Sequence, residues 1–230
     1  MRPLLLLTLL VAAPIVWGQD PVALKRTAAE GESAKYKLAV ETEISGMKIK
    51  FTANVVEKVT KVSADGSYSV SSEQQDATLE VNGESQPAPG EIGAQVTTVF
   101  RADGSISDVS GDNVGKDTLR LSNIQSLLWP KETVKVGSKW QGQIQGDKNK
   151  ETVDVVSNYE VVGREKVGNR DCFKLTFDSK EQSGSDPAST KGTLWVDVAS
   201  GLMVKNESDW MNMPIAGQMI NGKVVLSLVE

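Results

Sequence analysis

From Ala34 onward, apolar and polar side chains take turns. Ala34, Tyr36, Leu38, Val40 and Ile44 fall on one side, Lys35, Lys37, Glu41 and Glu43 on the other. A period of two with charges on one face describes a half-buried strand. Ser45-Gly46 then reads as a two-residue turn, after which Met47, Ile49, Phe51, Ala53 and Val55 alternate with Lys48, Lys50, Thr52 and Asn54. The first unit is therefore a β-hairpin. The pattern recurs: Asp65-Gly66 leads into Tyr68 and Val70, Asn82-Gly83 follows Ala77, Leu79 and Val81, and Asp103-Gly104 divides Val96–Ala102 from Ile106. Val167-Gly168-Asn169 separates Val153, Val155, Tyr159 and Val161 from Phe173, Leu175 and Phe177. Gly192 opens Thr193–Val198, apolar on both sides of Trp195 and so read as a central strand. Ser200-Gly201 turns into Leu202 and Val204, and Val224, Leu226 and Leu228 form the last alternating run. Hairpin after hairpin predicts a large antiparallel sheet.

One segment follows another period. Val114, Leu121, Ile124 and Leu128, with Leu127 beside them, share one face of a helix predicted near residues 114–128. Asp112 or Asn113 is its candidate N-cap and Pro130 its stop. Such an apolar stripe needs a surface to cover, so the helix is expected to lie on the sheet. Glu84–Gly93 and Ser179–Lys191 read as loops, and residues 130–150 as the connection between two strand-rich halves. Ile44–Ile49 and Ile215–Ile220 echo one another, a match short enough to arise by chance.

The N-terminus changes the picture of where the protein works. Arg2, the apolar run Leu4–Val16 and Val16-Trp17-Gly18 make up the three parts of a secretory signal, residues 1–18, cleaved before Gln19. The run is shorter than the roughly 20 residues of a membrane span, and no cysteine follows it to take a lipid anchor. The expectation is an exported protein, periplasmic or extracellular and not lipid-anchored. Residues 19–230 are expected to form one β-rich domain, or two fused halves at about 30–130 and 131–230. The mature chain keeps 24 basic and 30 acidic residues, a formal charge of −6. That mixed, mildly acidic balance argues against nucleic acid, which calls for a basic stripe, and against an anionic membrane surface. Cys172 is the single cysteine, so no intrachain disulfide exists, and its place beside Phe173 and Leu175 suits a buried structural thiol.

The chain lacks the residue types much chemistry needs. It has no histidine, which removes Ser-His-Asp and Cys-His catalysis, zincin motifs and most transition-metal sites. Ser45-Gly46-Met47-Lys48 imitates Ser-x-x-Lys but lies in a hairpin turn, with no Lys-Thr-Gly downstream. Asp108, Asp112, Asn113 and Asp117 do not follow the alternating spacing of a calcium loop. Acid-pair hydrolysis stays open on composition alone, although nothing selects a pair. Asn206-Glu207-Ser208 is a glycosylation sequon. No catalytic residue, metal site or cofactor is assigned.

What remains is apolar. Trp210, Met211, Met213, Pro214, Ile215, Met219 and Ile220 cluster around an expected hairpin tip, with Met47 and Ile49 in a similar place in the first half. Methionine is flexible and polarizable and accommodates varied apolar partners. Met47, Ile49, Trp210, Met211, Met213 and Met219 are therefore the candidate ligand-binding residues, if they line a concave face; the other reading is that they fill the gap between sheet and helix.

Trp129–Trp140, with Pro130, Val134, Gly137 and Trp140, resembles the Pro…Val-x-x-Gly-x-x-Trp segment of a family of uncharacterised bacterial exported β-proteins. Gly192–Leu202 resembles the Gly-Thr-x-Trp-x-Asp…Gly-Leu strand-turn-strand of those proteins and, more distantly, of periplasmic lipoprotein carriers of the LolA and LppX type. Phe100–Gly111 looks like the hairpin these families place before their helix. The resemblance implies a strongly curved antiparallel sheet, a half-barrel with a helix on its concave side, where the carriers hold acyl chains. It transfers no functional residue. The expected role is non-catalytic binding of a hydrophobic or lipidic ligand, or of an apolar segment of an envelope protein. The alternative is a structural or protein-interaction module of the envelope with no small-molecule site. The sequence sets no oligomeric state.

Overall fold

The structure is a computed structural model describing residues 20–88, 95–111, 114–215 and 217–229. The apolar leader Met1–Gly18 and the capping candidates Asp112 and Asn113 lie outside those residues. The described elements are β1 (Ser33–Ile44), β2 (Met47–Val62), β3 (Tyr68–Val81), β4 (Glu84–Pro87), β5 (Val96–Phe100), β6 (Ile106–Gly111), α1 (Lys116–Gln125), β7 (Lys139–Ile144), β8 (Val155–Val167), β9 (Arg170–Glu181), β10 (Ser189–Asp197), β11 (Met203–Ile215) and β12 (Gln218–Val229). A short 3-10 turn at Lys148–Lys150 precedes β8.

All twelve strands belong to one open antiparallel sheet in the order β6-β5-β3-β2-β1-β12-β11-β10-β9-β8-β7, with β4 paired to β3 beside β5. Most neighbours are joined by tight hairpins. At Ser45-Gly46 and Asn82-Gly83 both central residues have positive φ, between 51° and 93°. Turns of that hand match the twist of the strands they join. The pairing of β1 with β12 is the most distant in sequence and sets Tyr36 opposite Leu228 and Val40 opposite Val224. There residues 33–111 meet residues 139–229.

The sheet bends around its helix. The register slips by one residue at Thr52/Asn54, Val59/Lys61, Val99/Phe100, Val161/Gly163, Trp195/Val196 and Trp210/Met213. Bulges of this kind sharpen twist and bend strands. α1 touches β6 at one edge of the sheet and β8 to β11 near the other. In a flat sheet, β6 and β9 would lie eight spacings apart, roughly 38 Å, far beyond the ~12 Å width of a helix. The segment after α1 brings the two edges together. Trp129 N donates to Asp103 O in the β5–β6 turn (2.9 Å), and Trp140 Nε1 of β7 donates to Leu128 O (2.8 Å). Gly104 permits this approach: its φ is +87°, and a Cβ there would sit 2.1 Å from the Leu127 carbonyl oxygen.

The flank formed by β7–β11 is filled. Val155, Tyr159 and Val161 of β8, Phe173, Leu175 and Phe177 of β9, and Leu194 and Val196 of β10 point at α1, where Ile124 and the following Leu128 complete the core. Arg120 of α1 forks onto Glu181 at the end of the β9 row, Nε to Oε1 and Nη2 to Oε2, both 2.6 Å. On the opposite face Cys172, Trp195 and Val204 form a smaller cluster. Burial, reinforced by Asp197, pushes the Cys172 thiol up to about 11. Native protein is accordingly expected to resist Ellman's reagent at about pH 8 and to release one thiol on unfolding; rapid labelling of folded protein would contradict this burial.

Several expectations need correction. α1 ends at Gln125, because Ser126 is already extended (ψ 134°) and Leu128 N turns to donate to Tyr159 Oη (3.2 Å). Its N-cap is Gly115, without a side-chain cap. The stretch 130–150 contains β7, and the expected loop at Glu84 contains β4. Ser179 and Thr190 sit in β9 and β10 with their side chains buried, so the loop between those strands is shorter than its Ser-rich composition suggests. Gly192 lies within β10 and does not open it; a Cβ there would meet Glu207 O at 2.1 Å.

Candidate functional site

Residues 20–32, which show no alternation, form a strap across one end of the bent sheet. Val22 bridges to Val134, Leu24 enters the filled core, Thr27 N donates to Ser200 O (2.8 Å), and Gly31 and Glu32 exchange hydrogen bonds with Val59 of β2. The strap carries Arg26 and Glu32 to the wall of a cavity of about 440 Å³.

The cavity occupies the concave face of the β1–β6 flank, opposite the filled core. Tyr36 of β1 and Val59 of β2 form its floor, continued by Tyr68 and Val70 of β3, Phe100 of β5 and Ile106 of β6. The Tyr68 and Phe100 rings stack at 5.0 Å. Alternation set these residues on one face, and the bend around α1 turned that face into a wall. The helix shows the cavity its polar flank, Ser122, Gln125 and Ser126. These side chains bond back to the helix: Ser122 Oγ to Thr118 O (2.7 Å), Ser126 Oγ to Ser122 O (2.9 Å) and Gln125 Nε2 to Leu121 O (3.3 Å). Such bonds satisfy the hydroxyls locally and leave the helix wall with little to offer a ligand.

Polar groups that do face the space cluster on β2 and β3. Glu57 lies opposite Ser72, one inward position from the Val55–Gln74 pair. Burial raises the Glu57 carboxyl above its ordinary value, and Arg26 pulls it part of the way back. Burial, with Glu57 adding to it, also holds the Tyr36 hydroxyl neutral, and burial pushes Tyr68 up to about 12. Gln74 Oε1 and Trp129 Nε1 are buried without a hydrogen-bond partner. Arg26 is engaged elsewhere, Nη2 with Glu32 Oε1 (2.6 Å) and Nη1 with the carbonyls of Thr27 (2.9 Å) and Ser200 (3.3 Å).

The six residues singled out by the sequence are placed differently. Met213 is fully buried in the filled core, and Trp210 packs against that core. Met47, Met211 and Met219 are 43%, 57% and 50% exposed near the β1–β2 and β11–β12 tips. Ile49 and Trp210 border a shallow depression of about 850 Å³. Its other walls belong to an alternating row of charges across five strands, Glu80, Lys50, Glu41, Lys223 and Asp209. Opposed charges of this kind support pairing and make the surface polar. The six therefore do not converge on one pocket, and none lines the 440 Å³ cavity. Of the calcium candidates, Asp117 accepts from Gly217 N (3.3 Å) and Asp108 is exposed; among the described residues no cluster of three acidic or sulfur ligands is formed. Asn206 of the sequon has its side-chain oxygen buried in β11.

No protein-family model and no curated protein matches this chain. Among solved structures it is similar to lipovitellin, in a structure concerned with lipid–protein interactions, with TM-score 0.52 and 9% identity over 88% of this chain. The chain spans 25% of that lipovitellin chain, so the likeness concerns a part of a much larger protein. An exported protein of YmcC-like fold from Bacteroides fragilis matches over 90% of this chain and all of its own, with TM-score 0.34 and 13% identity. Among the described residues no helix is long and apolar enough to cross a membrane. At these identities the lipovitellin likeness establishes a shared fold, a large open antiparallel sheet.

Proposed function

We propose that the protein is a non-catalytic, extracytoplasmic binding protein that holds a hydrophobic or lipid-like ligand between its β1–β6 flank and α1. The observation that carries this reading is the contrast between the two flanks of one sheet. The β7–β11 flank is packed solid against the helix, whereas the β1–β6 flank leaves about 440 Å³ over an apolar, aromatic wall. Interiors ordinarily close such space, and pockets for small ligands occupy roughly 300–1,000 Å³. The lipid–protein interactions for which the lipovitellin structure is described agree with this reading. The apolar leader agrees with work outside the cytoplasm.

Native mass spectrometry of protein purified from its own host, without denaturation or detergent, tests the reading. The expected result is a polypeptide beginning at Gln19 that carries a near-stoichiometric lipid, and, after delipidation, a change in tryptophan emission on adding a single-chain lipid, because Trp129 lines the cavity. An apo mass together with unchanged emission would remove the ligand and leave the structural or protein-interaction module.

A further inference from the structure

We propose that the cavity selects single-chain ligands whose polar end is cationic or donates hydrogen bonds, such as a long-chain amine or alcohol, and disfavours free carboxylates. The inference rests on reading the cavity as a ligand site and names the class of ligand it takes. Three charged side chains line the space: Arg26, Glu32 and Glu57. Arg26 and Glu32 cancel one another across their 2.6 Å contact, and the remaining Arg26 donor contacts go to backbone carbonyls. The Arg26 side chain is only 8% exposed, so it has little freedom to turn to a ligand. Glu57 is left as the uncompensated group. Its carboxyl makes no hydrogen bond to a described residue, and the buried Gln74 Oε1 on the neighbouring strand is a second acceptor without a donor.

Among the cavity's unpaired groups Trp129 Nε1 donates, whereas Gln74 Oε1 and the one net charge, on Glu57, accept. The charged acceptor weighs most, so the balance favours a head that donates, since an unpaired buried acceptor loses its water without recompense. A cationic head would also pair with Glu57 and offset the burial that raises its carboxyl. An anionic head would meet a like charge in a half-dry space where charges are weakly screened. The Tyr36 and Tyr68 hydroxyls can donate or accept and do not decide the sign.

The test compares dodecylamine, dodecanol and dodecanoate as competitors for an environment-sensitive fluorescent probe at neutral pH, each below its micelle concentration, on wild-type protein and Glu57→Gln. Equal tails hold the apolar contribution constant. Wild type is expected to bind the amine at least about tenfold more tightly than the carboxylate, a difference of ~1.4 kcal/mol, and Glu57→Gln to narrow that ratio severalfold. A carboxylate that binds wild type as tightly as the amine, or a ratio untouched by Glu57→Gln, overturns the head-group inference while the cavity reading stands. If none of the three displaces the probe, the cavity reading itself fails.

Discussion

Replacing Glu181 with alanine is expected to destabilise the protein by about 3–5 kcal/mol, the range found when one partner of a buried ion pair is removed. The Glu181 side chain is 0% exposed and Arg120 19%. Both carboxylate oxygens are used: each takes a guanidinium nitrogen at 2.6 Å, and Oε2 also accepts from Ala188 N at 2.7 Å. Truncation leaves a guanidinium without its counter-charge and a buried amide without an acceptor, and water reaches neither freely. Urea denaturation measures the loss. Replacing both partners with leucine should cost distinctly less than the single change, because no charge is stranded. A Glu181→Ala protein within about 1 kcal/mol of wild type would show that the pair is solvated and does not anchor the helix. The pair ties α1 to the filled flank, so its loss should also weaken ligand binding, the cavity being the space that α1 holds open on the other side.

A second large effect is expected from Ser72→Phe. Ser72 lies on the inner face of β3, opposite Glu57 of β2 and Val96 of β5, and lines the cavity. A phenyl ring there would take the room of the ligand's chain. Probe affinity is expected to fall at least tenfold, or ~1.4 kcal/mol, with little loss of stability, since the ring enters space already empty. The matching change on the filled flank, Ser157→Phe, should do the reverse. Ser157 is 0% exposed within β8, and overpacking a closed core costs about 1–3 kcal/mol. Equal destabilisation by the two variants would mean that the β1–β6 flank is as solid as its neighbour. Unchanged probe affinity in Ser72→Phe would place binding elsewhere.

The candidate site shows where reading from residues loses its grip. Trp210, Met211 and Met213 look alike as neighbours around a hairpin tip. A bulge between Trp210 and Met213, with Asn212 at φ 53°, adds one residue to β11 and reverses which side chains face inward. Met213 thereby enters the core beside Trp210, whereas Met211 stays in solvent. A single inserted residue inverts a pattern of period two, and nothing in the composition of the segment announces it. Some of the residues that line the cavity were visible as one face of their strands, Tyr36, Tyr68 and Val70 among them, but a face is not a pocket until the sheet bends.

Local physics was enough for most of the strands, though not for β4 and β7, for most of their turns and for the placing of one helix on a large antiparallel sheet. Alternation sets the face of each side chain, and turns such as Ser45-Gly46 and Asn82-Gly83 act over only a few residues. The absence of histidine and the isolation of Cys172 were equally plain, because composition excludes chemistry whatever the fold. Contacts between distant segments belonged to the tertiary structure. The pairing of β1 with β12, the fork between Arg120 and Glu181, the strap that brings Arg26 and Glu32 to the cavity beside Glu57, and the split between a filled and a hollow flank each join residues far apart in the chain or depend on how far the sheet curls around α1. Such contacts depend on the summed bulges and twists of many strands, and no short window of sequence records that sum.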